Sequence, residues 1–144
     1  MESNFAVQTA FGIANLPQVR QVRQEVFMEE QGFQNEFDAT DETALHLLVL
    51  AGEEPAATGR AFSQDGGKVW HIGRVCVRKA FRGRELGRLV MEGLEKAVAG
   101  EGGEKVVLSA QVQARGFYEK LGYTAHGPEY LDEHCPHVEM EKRL

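Results

Sequence analysis

The residues from Arg74 to Val98 read RVCVRKAFRGRELGRLVMEGLEKAV, and the fold of the chain can be predicted outward from them. They comprise an apolar run typical of a β-strand, a basic loop that contains glycine, and an amphipathic helix. The first N–H groups of a helix have no intrahelical partner and lie at the positive end of the helix dipole. Because a diphosphate can bind such groups, this order predicts a pocket for a phosphate-rich ligand.

The positive charge of the chain is concentrated in the same stretch. Residues 74 to 88 contain one acid, Glu85, and these basic side chains: Arg74, Arg78, Lys79, Arg82, Arg84 and Arg88. The whole chain nevertheless has a formal net charge of −6. Nucleic-acid backbones require an extended basic face, which this composition does not predict. The local positive field favours a small anion, so no nucleic-acid partner is expected.

Length and composition indicate one domain without a membrane segment. A chain of 144 residues is long enough for one hydrophobic core and too short for two comfortable domains. Its first residues lack the features of a secretory signal, and no apolar run approaches the roughly 18 residues of a membrane span. We therefore expect a cytoplasmic protein with no membrane partner. Cys76 and Cys135 are too few for a disulfide framework and are expected to be reduced thiols.

Hydrophobic spacing predicts alternating strands and helices. The predicted strands are 5–11, 44–51, 56–63, 68–77, 105–109, one that starts at Tyr123, and 138–142. The first helix is predicted to start with Asn15 as its cap and to run to about residue 31. Two further helices are predicted, from Leu86 to a stop at 100–103 and over 114–121. Residues 32–43 are predicted to be an acidic connection that can hold a helical turn. The order predicts a mixed α/β sheet with helices on both faces.

Two sequence blocks carry a family resemblance. The loop Arg82-Gly83-Arg84-Glu85-Leu86-Gly87 and the block Phe117-Tyr118-Glu119-Lys120-Leu121-Gly122-Tyr123 resemble the signature of the GCN5-related N-acetyltransferase (GNAT) superfamily. Similarity to its ElaA/YjcF-like branch extends to Val26-Phe27 with Glu30-Gln31, Ile72-Gly73-Arg74-Val75, Ala110-Gln111 and Pro136-His137. The resemblance implies an α/β fold with a mixed, mostly antiparallel central sheet of about six or seven strands flanked by helices on both faces. It also implies that residues 1–144 form a single acyl-CoA N-acyltransferase domain.

The resemblance further implies a site for acetyl-CoA as cosubstrate. The residues it assigns to the cofactor are Val75, Cys76, Val77, Arg82, Gly83, Arg84, Glu85, Leu86, Gly87, Arg88, Gln111 and Phe117. The strand around Cys76 is expected to splay from its neighbour, and its N–H groups are expected to stabilise the tetrahedral oxyanion. Glu85 departs from the family loop, which usually has glycine there. Its carboxylate would repel phosphates unless it turns outward.

Tyr118 is the predicted general acid. In the family an equivalent tyrosine protonates the departing thiolate, and a phenol with a pKa near 10 can donate to a thiolate whose conjugate acid has a pKa near 8.5 through a preformed hydrogen bond. The attacking amine must also lose a proton. Deprotonating an ammonium group with a pKa near 10.4 costs roughly 4.6 kcal/mol at pH 7.

Glu30 and His137 are predicted to accept that proton, because they match the branch pattern. Each could equally be an ordinary surface or packing residue, and the alternatives are Glu25, Glu29, His46 and His71. Arg60 and Arg74, on adjacent predicted strands, are candidates for anchoring an acidic group of the substrate. They could instead pair with Glu30 or Asp41.

Together these assignments predict an enzyme that moves an acetyl group from acetyl-CoA to a primary amine by direct attack in a ternary complex. The acceptor is expected to be a small-molecule or peptide amine, no metal is expected, and a homodimer is consistent with the family. Two alternatives stay open. One is an acyl-CoA-binding sensor or interaction module without catalysis. The other is a metal site around His134, Cys135 and His137, to which Cys76 could add a ligand, although that spacing matches no common structural zinc pattern.

Overall fold

Seven strands form a single sheet in the computed structural model, which describes residues 5–144. The strands are β1 (Phe5–Phe11), β2 (Leu45–Ala51), β3 (Glu54–Gln64), β4 (Val69–Val77), β5 (Lys105–Gln111), β6 (Thr124–Asp132) and β7 (Cys135–Arg143). Their spatial order is β1-β2-β3-β4-β5-β7-β6, and every neighbouring pair except β4 and β5 is antiparallel. The predicted α/β class with a mostly antiparallel sheet is confirmed.

Three α-helices connect these strands. They are α1 (Val19–Arg23), which continues as a π-helical segment (Gln24–Glu30), α2 (Leu86–Gly100) and α3 (Arg115–Lys120). The prediction of Asn15 as the first helix cap is wrong. Asn15 ends a 3-10 turn, and its side-chain amide donates to the Phe11 carbonyl at 2.8 Å. Leu16 then has a non-helical backbone (φ −146°, ψ 61°), so the helix begins only after Gln18.

The acidic connection contains the predicted helical turn. A 3-10 turn at Ala39–Glu42 is closed by a capping box between Asp38 and Asp41. In that box the Asp38 N–H donates to the Asp41 carboxylate at 3.0 Å. The turn fixes the direction in which both side chains leave the backbone, which matters for the site described below.

The sheet carries a hydrophobic core on each face. Along β2, Leu47 and Val49 pack in one core together with α2, whereas Leu48 and Leu50 pack in the other together with α1. This alternation follows from the two-residue period of a strand. Gly59 on β3 lets α2 approach closely, because a Cβ atom there would lie 2.7 Å from Cγ1 of Val90. Close packing fixes the start of α2 beside the end of β4.

Strands β4 and β5 separate after a short paired region. Their parallel pairing covers Val69–His71 against Lys105–Val107 and extends no further within residues 5–144. Past that point Arg74 adopts a left-handed backbone (φ 52°), and the pairing of β4 with β3 shifts register between Thr58 and Arg60. The splay expected from the resemblance is present, and it opens a cavity in the sheet.

Candidate active site

A cavity of about 630 Å³ occupies the opening between β4 and β5. Its walls combine the end of β4, the end of β5, α3, the acidic connection and the hairpin between β6 and β7. The wall residues that concern the chemistry are Glu36, Arg74, Cys76, Gln111, Tyr118 and His137. Arg82 and Gly87 also line it, so the basic loop reaches the same space.

Unpaired N–H groups mark the start of α2. Gly83 (φ 85°) and Glu85 (φ 58°) both have left-handed backbones, which turns the chain sharply into the helix. The N–H groups of Glu85, Leu86 and Gly87 donate to no acceptor within residues 5–144. They therefore offer several donors at the positive end of a long helix, the arrangement that binds phosphate oxygens.

The arginines of the loop differ in what they contact. Arg82 makes two 2.6 Å bonds to the Glu30 carboxylate, and its Nε donates to the Val77 carbonyl at 3.0 Å. Arg88 pairs with Glu92 at 3.0 Å. Arg84 is exposed and forms no ion pair with any described residue. Arg84 is thus the loop arginine with a free guanidinium, whereas Arg82 ties the loop to the π-helical segment.

Tyr118 lies on α3, where aromatic rings hold it. Its ring packs edge-on against Phe117 at 4.9 Å and against Tyr123 at 6.0 Å between centroids. Phe117 in turn rests on Gly87, where a Cβ atom would be only 3.2 Å from the ring. The Tyr118 hydroxyl has no hydrogen bond to a described residue. Burial, helped by the Cys76 thiol, raises the pKa of Tyr118, so the phenol stays protonated at neutral pH.

Cys76 lies on β4 and lines the same cavity as Tyr118. Its side chain is buried, and burial, with Glu36 nearby, raises the pKa of the thiol far above its ordinary value. A thiol in this setting holds its proton and is a weak nucleophile. Cys135 is also a free, buried cysteine.

His137 lies on β7, where it pairs with Gln111 of β5, and it lines the cavity. A carbonyl oxygen only accepts, so the 2.8 Å contact of Nδ1 with the Cys135 carbonyl requires a proton on Nδ1. Nε2 of the neutral ring then carries the lone pair, and no hydrogen bond reaches it from residues 5–144. Gln111 donates to Gln31 at 2.8 Å, which joins β5 to the end of the π-helical segment.

Comparison with known proteins identifies the family. The sequence model described as the Acetyltransferase (GNAT) domain matches residues 15–144. The chain belongs to the GNAT acetyltransferase family. It is 40% identical over 125 residues to the uncharacterized N-acetyltransferase YjcF of Bacillus subtilis, covering 84% of this chain and 87% of YjcF.

Two crystal structures agree with the GNAT assignment. An N-acetyltransferase candidate from Lactobacillus plantarum superposes with a TM-score of 0.89 at 29% identity, and 99% of each chain is covered. Escherichia coli ElaA superposes with a TM-score of 0.84 at 26% identity, covering 96% of this chain and 99% of ElaA. The predicted resemblance to the ElaA/YjcF-like branch is confirmed.

Glu85 departs from the usual GNAT loop without pointing its charge at the unpaired N–H groups. Its side chain is 79% exposed and lies 3.7 Å from Arg88. The carboxylate therefore turns outward, and its repulsion of a bound phosphate is weakened by distance and solvent. The residue still adopts φ 58°, a conformation that costs a non-glycine residue about 1–2 kcal/mol.

Glu85→Gly is therefore expected to raise the free energy of unfolding by about 1 kcal/mol, because glycine adopts this backbone without the steric cost. Affinity for acetyl-CoA should change by less than about threefold, since the carboxylate is exposed and screened. Urea unfolding and binding calorimetry measure the two effects. Glu85→Gln is the matched control: it removes the charge, keeps the strained backbone and should leave stability unchanged. Lower stability in Glu85→Gly would contradict this reading of the loop.

Glu30 is one of the two residues predicted to accept the amine proton, but its side chain does not line the cavity. Its two carboxylate oxygens are bound by Arg82. The hydrogen bond from Arg82 lowers the pKa of Glu30 below its ordinary value, which makes the group a poorer proton acceptor. This setting fits a residue that positions the loop better than one that exchanges protons with an amine.

Arg60 and Arg74 lie in the cavity wall, but acidic partners hold both. Arg60 contacts Asp38 at 2.6 Å and Asp41 at 2.8 Å, and Arg74 contacts Glu36 at 3.1 Å. The alternative in which Arg60 pairs with Asp41 is thus the one observed. These contacts leave little of either guanidinium for an acidic substrate group.

Glu36 is a cavity residue that the sequence analysis missed. It is 4% exposed, and its carboxylate contacts Arg23 at 2.9 Å as well as Arg74. Nothing in the sequence separates it from the other acids of residues 32–43, because its partners lie 13 and 38 positions away. A clue was available in Arg23, a basic residue among the apolar positions of the first helix.

The histidines of the metal-site alternative make other contacts. His134 packs on Phe33 at 5.0 Å, and His137 uses Nδ1 for the Cys135 carbonyl. Within the described part of the chain, no group of three or more His, Cys, Asp or Glu side chains is arranged to hold a metal ion.

No helix among residues 5–144 is both long and apolar enough to cross a membrane.

Proposed function

We propose that this GNAT protein transfers an acetyl group from acetyl-CoA to a primary amine by direct attack in a ternary complex. One observation carries the proposal: a single cavity at the splay of β4 and β5 has the basic loop at one end and Tyr118 in its wall. A ligand with phosphates and a reactive acyl end fits such a cavity. The acceptor is a small-molecule or peptide amine.

The cofactor contacts follow from the unpaired donors. The N–H groups of Glu85, Leu86 and Gly87 would bind the pyrophosphate, with Arg84 adding a charge-assisted contact. Beyond His71, the edge of β4 that faces β5 is open, so N–H groups around Val75 to Val77 would hold the acyl arm and stabilise the oxyanion. Phe117 and Gln111 would border the same arm.

Direct transfer is supported by the state of the thiols. An acyl-enzyme would require a nucleophilic cysteine, and Cys76 is buried with its pKa raised. Attack by the amine on the thioester carbon needs no such intermediate. The C–N bond forms, the C–S bond breaks, and the thiolate takes a proton from Tyr118.

The amine nitrogen loses two protons between ammonium and amide. Nε2 of His137 is available as an acceptor for the proton that leaves the tetrahedral intermediate. Proton return from His137 to the Tyr118 phenolate through solvent would restore both groups. Glu30 supports this scheme indirectly, because its bonds to Arg82 fix the basic loop.

Calorimetric titration with acetyl-CoA tests the cofactor part of the proposal. We expect one site per chain, with a Kd between about 1 μM and 1 mM and weaker binding at high salt. Arg84→Gln should weaken binding severalfold, because it removes a free guanidinium beside the phosphates. Arg143→Gln, an exposed arginine at the other end of the sheet, is the control and should bind as the wild type does. Absence of binding would overturn the proposal.

A further inference from the structure

We propose that Glu36 binds the ammonium group of the acceptor and accepts its first proton. This inference rests on the proposed acetyl transfer to an amine and deepens it by naming the group that recognises the acceptor. It implies that the acceptor enters as a cation. It also assigns the acceptor end of the cavity to the side of the acidic connection.

The position of Glu36 within the cavity is the first argument. The side chain is 4% exposed and yet borders the cavity that Tyr118 and Cys76 also line. Both Glu36 and Tyr118 lie near enough to Cys76 for electrostatic effects between the groups, and all three side chains line the same cavity. A thioester held along β4 at Cys76 would therefore share the cavity with a carboxylate and a phenol. Those are the two groups that an amine nucleophile and a thiolate leaving group require.

The contacts of the carboxylate are the second argument. Nε of Arg23 donates to Oε2 at 2.9 Å, and Arg74, which donates to the Glu36 backbone carbonyl, has its Nε 3.1 Å from the same Oε2. Oε1 accepts no hydrogen bond from residues 5–144, so one oxygen of the carboxylate is left for a ligand. A carboxylate oxygen beside a cavity is a natural acceptor for an ammonium N–H, with a charge-assisted bond stronger than a neutral one. Because the arginines already hold the carboxylate in one position, little side-chain entropy is lost when the amine binds.

The charges around Glu36 are the third argument. The charged and titratable groups near it are Arg23 from α1, Asp38 and Asp41 from the acidic connection, Arg60 from β3, and Arg74 and Cys76 from β4. Burial raises the pKa of Glu36 above its ordinary value even though three arginines act to lower it. The pKa values of Asp38 and Asp41 are lowered instead. Glu36 is thus better suited to take a proton than either neighbour.

The proton balance closes with the groups already named. The ammonium gives one proton to Glu36, and the neutral amine attacks the thioester carbon. The tetrahedral intermediate gives its second amine proton to His137, and the C–S bond breaks as Tyr118 protonates the sulfur. Solvent carries one proton from His137 back to Tyr118 and removes the other from Glu36. The net products are the amide, CoA as the thiol, and one proton.

Glu36→Gln tests the proposal in the full chain, with acetyl-CoA and the amine that the wild type uses best. We expect kcat/KM for the amine to fall by about 100-fold or more, while the Kd for acetyl-CoA changes by less than about threefold. The acid side of the kcat/KM profile should also change shape, because the Glu36 carboxylate no longer contributes to it. Glu42→Gln, which changes an exposed acid in the same connection, is the matched control and should keep wild-type rates.

Glu36→Asp covers the case in which glutamine disrupts the buried charges. It keeps the negative charge for Arg23 and Arg74 but withdraws the oxygen from the cavity, so reduced turnover with a retained acid limb is expected. Wild-type kcat/KM in either folded variant would overturn the role of Glu36. A wild-type protein that binds acetyl-CoA but acetylates no amine would instead contradict the proposed function, which separates the two failures.

Discussion

Tyr118→Phe is expected to lower kcat by about 100-fold or more, because it removes the proton that the thiolate receives as the C–S bond breaks. The Kd for acetyl-CoA should change by less than about threefold, since the ring and its packing against Phe117 and Tyr123 are retained. Steady-state rates with saturating acetyl-CoA and calorimetry measure the two quantities. Raised pKa and burial keep the phenol protonated, so this loss should persist across neutral pH.

Tyr123→Phe provides the matched control. The Tyr123 hydroxyl donates to Glu95 at 2.7 Å, outside the cavity wall. Losing that bond is expected to cost about 1 kcal/mol of stability and to leave kcat within about threefold of the wild type. Unchanged turnover in Tyr118→Phe would refute the assignment of Tyr118 as the acid. Equal losses in both variants would show a packing effect instead.

Asp41→Asn is expected to lower the free energy of unfolding by about 3–5 kcal/mol, because it leaves buried charges without their partner. Asp41 is 2% exposed, and its carboxylate contacts Arg23 at 2.6 Å and Arg60 at 2.8 Å. An amide can satisfy some of these donors but cannot balance two guanidinium charges. Urea unfolding at pH 7 measures the loss, and Glu42→Gln in the same turn should cost less than about 0.5 kcal/mol.

The same residue predicts a pH dependence of stability. Burial alone would raise the pKa of Asp41, but bonds from Arg23, the Asp38 backbone and Arg60 lower it well below its ordinary value. Because the pKa of Asp41 is lower in the folded state, its ionised carboxylate stabilises the protein fully above the unfolded-state pKa of about 3.9. This stabilisation is lost as the pH falls toward the folded-state pKa. Asp41→Asn should flatten that acid limb. If Asp41→Asn lowers the free energy of unfolding at pH 7 by less than about 1 kcal/mol, the buried ion pairs do not stabilise the fold as argued.

Local signals in the sequence predicted much of the fold. Leu86–Gly100 is a helix over the predicted range because its apolar face and the glycines that follow are both local features. The strands before and after it were equally readable, although β7 starts at Cys135, three residues earlier than its apolar run suggested. The start of α1 was misplaced because the conformation of Leu16, rather than the capping preference of Asn15, decides where the helix begins.

The candidate site was predictable only where it is built from local motifs. The basic loop and Tyr118 belong to such motifs, and both border the cavity between β4 and β5. The partner of Arg82 was not predictable, because Glu30 lies 52 positions away and pairing depends on the tertiary fold. Glu36 was missed for the same reason: burial and the choice of arginine partners are properties of the folded chain, not of its acidic segment.

Amine-dependent release of thiol from acetyl-CoA tests the central claim most directly. The purified protein is mixed with acetyl-CoA and each member of a panel of small and peptide amines, and the released CoA is compared with the acetylated amine formed. We predict release that depends on an amine and matches the amide product one for one. Saturable binding of acetyl-CoA with no amine-dependent release for any amine would contradict the account and indicate a sensor or interaction module.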